Sequence, residues 1–108
     1  MDKVAFFRDY LADKPDDRFA RYSLALELKK AGDVAAAESE LEELLRRHPT
    51  SGAGYLQLGQ LREEDDRLEA AQAAYQDGLV ALEGEDDAEG RKARSELRQA
   101  LEAVELYL

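Results

Sequence analysis

RYSLALELKKAGDVAAAESELEELLRRHP at 21–49 and YLQLGQLREEDDRLEAAQAAYQDGLVALE at 55–83 match each other at an offset of 34 residues. In this alignment Leu24 falls on Leu58, and small or bulky residues fall on residues of similar size. A repeated helix pair cannot bury its apolar face alone, so such a period predicts units that stack on their neighbours. Stacks of this kind usually present a surface rather than a catalytic pocket.

The amino-acid composition favours helices and disfavours a sheet. The chain contains no Ile, one Thr and four Val, whereas Ala and Leu dominate. Strands favour β-branched residues, while Ala and Leu have high helix propensity. At 108 residues the chain is long enough for one modest core. We therefore expect an all-α protein.

Acidic residues outnumber basic ones by 25 to 15, and the excess is unevenly spread. Residues 1–51 carry 11 acidic against 9 basic side chains, and residues 52–108 carry 14 against 6. A net charge of −10 repels phosphate backbones and anionic lipids, which disfavours nucleic-acid and membrane partners. Two interpretations of the acidic second half remain open, namely solubility and a basic partner.

Turn and capping residues divide the chain into six predicted helices. Lys14-Pro15 ends the first helix, because the residue before a proline is forced out of the α region. Gly32 suits the left-handed position after the second helix, and Asp66 takes the equivalent place after the fourth. The predicted helices cover residues 2–13, 18–31, 34–48, 52–65, 67–83 and 88–108.

The repeated pattern resembles the tetratricopeptide repeat, whose consensus is Trp-x2-Leu-Gly-x2-Tyr, then Ala-x3-Phe, then Pro. The matching residues are Leu24, Ala25, Leu28, Ala37, Leu41 and Pro49 in the first copy, and Tyr55, Leu58, Gly59, Ala71 and Tyr75 in the second. Two departures are Arg21 at the Trp position and Arg62 at the second aromatic position. The resemblance implies an antiparallel helix-pair solenoid.

The resemblance also implies one domain over residues 1–108. It consists of an N-terminal half repeat (1–15), two full repeats (16–49 and 50–84) and a C-terminal capping helix (85–108). The outward polar residues of that helix are expected to be Arg91, Arg94, Arg98, Glu102 and Glu105, and its apolar ladder to be Ala93, Leu97, Ala100, Leu101, Val104 and Leu108. The alternative for this helix is a heptad-like seam that mediates a dimer.

In tetratricopeptide proteins the first helix of each pair lines a concave groove that takes an extended peptide or a helix. By that resemblance the lining residues here are Phe19, Tyr22, Leu26, Lys29 and Lys30 in the first repeat, and Leu56, Gln57, Gln60, Glu63 and Glu64 in the second. Phe19, Tyr22 and Leu26 form an apolar stripe beside the core stripe. Whether this stripe is an open groove or is covered by the N-terminal helix stays open at this point.

The sequence offers little for catalysis. His48 is the only histidine and lies beside Pro49 at a predicted helix end, where its charge favours the helix dipole. The lack of cysteine excludes disulfides and thiolate metal sites. Neighbouring carboxylates on a helix point in different directions, so the acidic pairs suit caps and solvated faces better than acid–base catalysis. We expect no catalytic residue, no cofactor and no metal site.

The sequence thus predicts a non-catalytic protein–protein interaction module that presents a concave groove to a peptide or helix of a partner protein. The alternative is structural self-association, a homodimer through the terminal helices. An enzyme that uses carboxylates alone is a third, disfavoured hypothesis. We expect a cytoplasmic location, because the first residues lack a signal-peptide core. Arg outnumbers Lys by 10 to 5, which favours a bacterial source.

Overall fold

A computed structural model describes residues 2–108, and within that range the chain contains six α-helices and no strand. The helices are α1 (Lys3–Asp13), α2 (Arg18–Lys30), α3 (Val34–Arg47), α4 (Gly52–Glu64), α5 (Leu68–Ala81) and α6 (Ala88–Glu105). The predicted all-α helical repeat fold is confirmed. The chain divides into two compact units at His48 and Pro49, and the prediction of a single domain over 1–108 stays a prediction.

The first unit contains α1, α2 and α3, and α2 packs against both of its neighbours. Each helix begins at an aspartate whose carboxylate accepts a backbone N–H from three residues further on, as at Asp17 and Ala20, 2.9 Å apart. Such caps satisfy donors that the first helical turn leaves unpaired. The buried apolar residues of this unit are Leu11, Ala20, Leu24, Ala25, Leu28, Ala37, Leu41 and Leu44.

The second unit contains α4, α5 and α6, and each of these helices packs against the other two. Ser51 caps α4 and Asp87 caps α6, whereas α5 begins after Arg67 without a side-chain cap. The buried apolar residues are Tyr55, Leu58, Leu61, Ala71, Ala74, Tyr75, Leu82, Leu97 and Val104. Helix α6 contributes two of these residues and contacts both helices of the second repeat, and its role as a cap stays a prediction.

Three residues in the turns that follow helices have a left-handed backbone conformation. Gly32 has φ +85°, Gly84 has φ +88°, and Asp66 has φ +59°. Glycine adopts this region without a steric penalty, and aspartate is among the residues that tolerate it best. The turn positions predicted for Gly32 and Asp66 are therefore confirmed.

Two helix ends lie two or three residues before the predicted ones. Helix α5 ends at Ala81 rather than at Glu83, because the Glu83 N–H donates to Val80 O in a tighter turn, 3.2 Å away. Helix α6 ends at Glu105, and residues 106–108 continue with bonds that each reach back three residues. Helix ends commonly tighten in this way, so apolar spacing alone overestimates their length.

One polar residue of the capping helix was predicted wrongly. Arg94 was expected to face water, but its side chain is only 20% exposed. Its Nη1 donates to the carbonyl oxygen of Leu82, 3.1 Å away, and to that of Glu85. These carbonyls lie beyond the end of α5, where the helix leaves acceptors unpaired and favours a cation. Arg94 therefore connects α6 to the end of α5.

Candidate functional site

The predicted binding residues of the first repeat lie along one face of α2. Phe19, Tyr22 and Leu26 are spaced by three and four residues, so their side chains follow one side of the helix. Phe19 is 74% exposed, whereas Tyr22 and Leu26 are half-buried. Helix α1 packs on α2 without covering Phe19. The stripe is thus open at its N-terminal end and partly covered further along.

Two lysines continue this face at the C-terminal end of α2. Lys29 is half-buried and Lys30 is exposed. The Nζ atom of Lys30 lies 3.7 Å from Glu27 Oε1, and the Nζ atom of Lys3 lies 3.9 Å from the same oxygen. A positive charge in the last turn is favourable because the helix dipole is negative there. The α2 face therefore changes from aromatic to cationic along its length.

The predicted residues of the second repeat lie on α4. Leu56, Gln57, Gln60 and Glu63 are all half-buried, and Glu64 beside them is exposed. The glutamines offer amide groups and the glutamates carboxylates on a partly exposed side of a helix whose other side is in the core. The α4 face is thus more polar than the α2 face.

A buried tyrosine fixes one carboxylate of the α4 face. Tyr75, on α5, is fully buried, and its hydroxyl donates to Glu63 Oε2. Burial raises the pKa of Tyr75, and the hydrogen bond to Glu63 adds to that shift, so the hydroxyl stays protonated and remains a donor. The buried Tyr75 hydroxyl, which a partner cannot reach, therefore fixes the position of the Glu63 carboxylate.

This contact depends on the missing side chain of Gly59. A Cβ at that position would overlap the ring of Tyr75, so only glycine lets the ring cross α4 and reach Glu63. The contact of Tyr75 with the predicted site was not identified in the sequence analysis, because the repeat period only marked Tyr75 as core. The bulky residue at 75 opposite the glycine at 59 is the signal from which the close approach could have been found.

The two arginines that depart from the repeat consensus bond within their own helix pairs. Arg21 Nη1 lies 2.6 Å from Glu40 Oε1 on α3, and its Nη2 donates to Pro15 O at 2.9 Å. Arg62 Nη1 donates to Ala70 O at 3.1 Å. Both arginines thus connect the two helices of a pair by hydrogen bonds, where the consensus uses aromatic packing.

The single histidine lies in a structural contact. His48 is the C-cap of α3, and its Nε2 lies 2.8 Å from the backbone oxygen of Asp16. The neighbouring Arg47 pairs with the Asp16 carboxylate. Both contacts connect the end of α3 to the turn between α1 and α2.

Two searches of the described chain concern other kinds of site. Among residues 2–108, no group of three or more His, Asp or Glu side chains is placed to hold a metal ion. Over the same residues, none of the helices combines the length and apolarity that crossing a bilayer requires.

Comparison with known proteins identifies the family. A tetratricopeptide repeat family model matches residues 18–61. The solution NMR structure of a tetratricopeptide repeat domain protein from Salinibacter ruber is 34% identical, with a TM-score of 0.73 over 84% of this chain and 89% of that one. The crystal structure of such a protein from the same organism is also 34% identical, with a TM-score of 0.70 over 82% of this chain and 97% of that one. A search of curated proteins gave no match.

The chain belongs to the tetratricopeptide repeat family, as its 34-residue period indicated. Domains of this family are in general protein-interaction modules, and the family is in general a scaffold without catalytic activity.

Proposed function

We propose that this protein is a non-catalytic interaction module that binds a peptide or a helix of a partner protein on the α2 face of its first unit, with the α4 face of its second unit as a separate binding surface. The observation that carries the proposal is the exposure of Phe19. Phe19 is 74% exposed on a regular helix, so the N-terminal end of the stripe that continues through half-buried Tyr22 and Leu26 is an uncovered apolar surface. Aromatic side chains in such a setting are the usual anchors of protein interfaces.

The chemistry of the α2 face defines the kind of segment that it accepts. Phe19, Tyr22 and Leu26 suit an apolar side chain, and the exposed Lys30 suits a carboxylate beyond it. On α4, Gln57 and Gln60 provide amide groups that can bond the backbone of an extended peptide. The bound segment is therefore expected to be amphipathic, with acidic residues toward the C-terminal end of α2.

Selection from a displayed library of random peptides tests this function. Peptides enriched on the wild-type protein should bind a Phe19→Ser variant about tenfold or more weakly, since truncating an aromatic anchor costs roughly 2 kcal/mol or more of binding free energy. The matched control is Val80→Ser, which removes an apolar side chain that is 71% exposed on α5. Equal loss in both variants, or no loss in the Phe19 variant, would remove the α2 face from the proposal.

A further inference from the structure

The outer face of α6 carries charged side chains that nothing in the described chain neutralises. Lys92, Arg98 and Glu102 are exposed, and none of them has an ion-pair or hydrogen-bond partner among residues 2–108. By contrast, Arg91 and Arg94 donate to carbonyl oxygens of the segment between α5 and α6. Lys92, Arg98 and Glu102 thus lie unpaired on the solvent-exposed side of α6.

The order of charges along α6 opposes its own dipole. Its basic residues Arg91, Lys92, Arg94 and Arg98 all precede Glu102 and Glu105, and the last turn contains no basic residue. A helix alone favours acids at its N-terminal end and bases at its C-terminal end. Two acids are exceptions: Glu89 lies in the first turn, where the dipole favours it, and Glu96 lies among the basic residues. An antiparallel copy of the same helix would set the basic half against the acidic half.

Two exposed apolar features lie at opposite ends of α6. Leu106 and Tyr107, directly after the helix, are 83% and 78% exposed. Near the first half of α6 a shallow depression is lined by Leu79, Val80, Arg94 and Arg98, and Val80 is 71% exposed. Leu106 follows Arg98 by eight residues, which is about 12 Å along the helix axis. The apolar residues after α6 therefore cannot cover the depression of their own chain.

We infer that α6 pairs antiparallel with α6 of a second copy of this protein. Two-fold symmetry then forms the contact between Arg98 and Glu102 of the second copy twice. In that register Leu106 lies opposite Arg94 of the second copy, beside the depression that contains Val80. One arrangement thus pairs Arg98 with Glu102 and covers both apolar features.

This inference does not rest on the proposed peptide binding, because it uses α5 and α6 rather than α2 and α4. It gives a defined surface to the homodimer that the sequence analysis kept as an alternative. Helix α6 is 18 residues long, or about 27 Å, which is long enough for several side-chain layers between two copies.

Sedimentation equilibrium over a concentration series tests the pairing. The wild-type mass should rise from 12.1 kDa toward twice that value. Arg98→Glu and Glu102→Arg should each raise the dimer dissociation constant about tenfold or more, because like charges then face each other. The double variant should restore the wild-type constant, since it exchanges the partners of the same pair. Leu106→Asp should also weaken the dimer without any change of charge at positions 98 and 102.

The matched control is Arg8→Glu, at an exposed position of α1, which should leave the dissociation constant unchanged. Circular dichroism on every variant confirms that the helices remain. The inference is overturned by a constant monomer mass in the wild type, by single reversals that dimerise as the wild type does, or by a double variant no stronger than the singles. Loss of peptide binding with dimerisation intact would contradict only the proposed function.

Discussion

At the residue scale, Gly59 and Tyr75 form a matched pair of a missing side chain and a large ring. The first repeat has Ala25 and Leu41 at the aligned positions, so the second repeat combines a smaller residue with a larger one. The ring of Tyr75 fills the space above Gly59, and its hydroxyl reaches Glu63 on the outer side of α4. The combination of Gly59 and Tyr75 keeps α4 and α5 close together. It also adds the hydrogen bond between Tyr75 and Glu63, which the first repeat lacks.

Replacing Gly59 by Leu should destabilise the protein. The new side chain would overlap the Tyr75 ring, and overpacking of this kind costs roughly 1–3 kcal/mol or more. Urea unfolding measures the loss. Ala53→Leu on the same helix is the control, because Ala53 is exposed and should accept the larger side chain with little change. An unchanged unfolding midpoint for the Gly59 variant would contradict the tight packing.

Glu43 provides a second prediction, on the pH dependence of stability. Its carboxylate accepts from Arg46 Nε at 2.9 Å and from Arg47 Nε at 2.5 Å, and these bonds lower its pKa from the ordinary 4.5 to about 2. Because the pKa is lower in the folded state, the contribution of Glu43 is fully present above pH 4.5 and is lost as the pH falls through 2.

The measurement is an NMR titration of the Glu43 side chain, combined with urea unfolding between pH 5 and pH 2. In a Glu43→Gln variant the part of the acid destabilisation due to this group should disappear. A Glu43 that titrates at its ordinary value would show that the arginine contacts do not form in solution.

At the element scale, the aspartate and serine caps explain why the helices begin where they do. Five of the six helices start at a side chain that accepts a backbone N–H of the first turn. Four of these five residues follow a Pro or Gly within three positions, so most of the helix starts were predictable. The ends were less so, because Leu82 and Glu83 pass into a tighter turn that depends on the packing of α6.

The cap of α6 provides the prediction at this scale. Asp87 Oδ1 accepts the Gly90 N–H at 2.8 Å, and Asp87→Ala should therefore lower the free energy of unfolding by about 1 kcal/mol. Asp87→Asn keeps an acceptor at the same place and should behave nearly as the wild type. The comparison by thermal unfolding would contradict the cap if both variants lost the same stability or neither lost any.

For the candidate site, the helix face that carries each residue could be predicted, but the exposure of each side chain could not. Helical spacing placed Phe19, Tyr22 and Leu26 on one face of α2, and the structure has them there. It could not say which of them would be exposed, because that depends on how far α1 extends over α2. The role of Arg94 was missed for a similar reason, since its partners are carbonyls of a different helix end.

At the scale of the whole molecule, the repeat period determined the family and the general class of function. Most of the net charge of −10 comes from residues 52–108, which contain 14 acidic and 6 basic residues. Helix α6 lies in this acidic part yet contains four of those six bases, Arg91, Lys92, Arg94 and Arg98. Overall composition does not reveal this group of basic residues on α6, and its relevance follows from the exposed side of that helix.

The central claim is that the α2 face and the α4 face, each within its own unit, bind a partner segment. It is tested most directly by NMR of nitrogen-15-labelled protein titrated with a peptide from the library selection. We predict that backbone amide shifts concentrate on α2 from Phe19 to Lys30 and on α4 from Leu56 to Glu63. Shifts concentrated on α3, α5 or α6, with α2 and α4 unchanged, would contradict the claim.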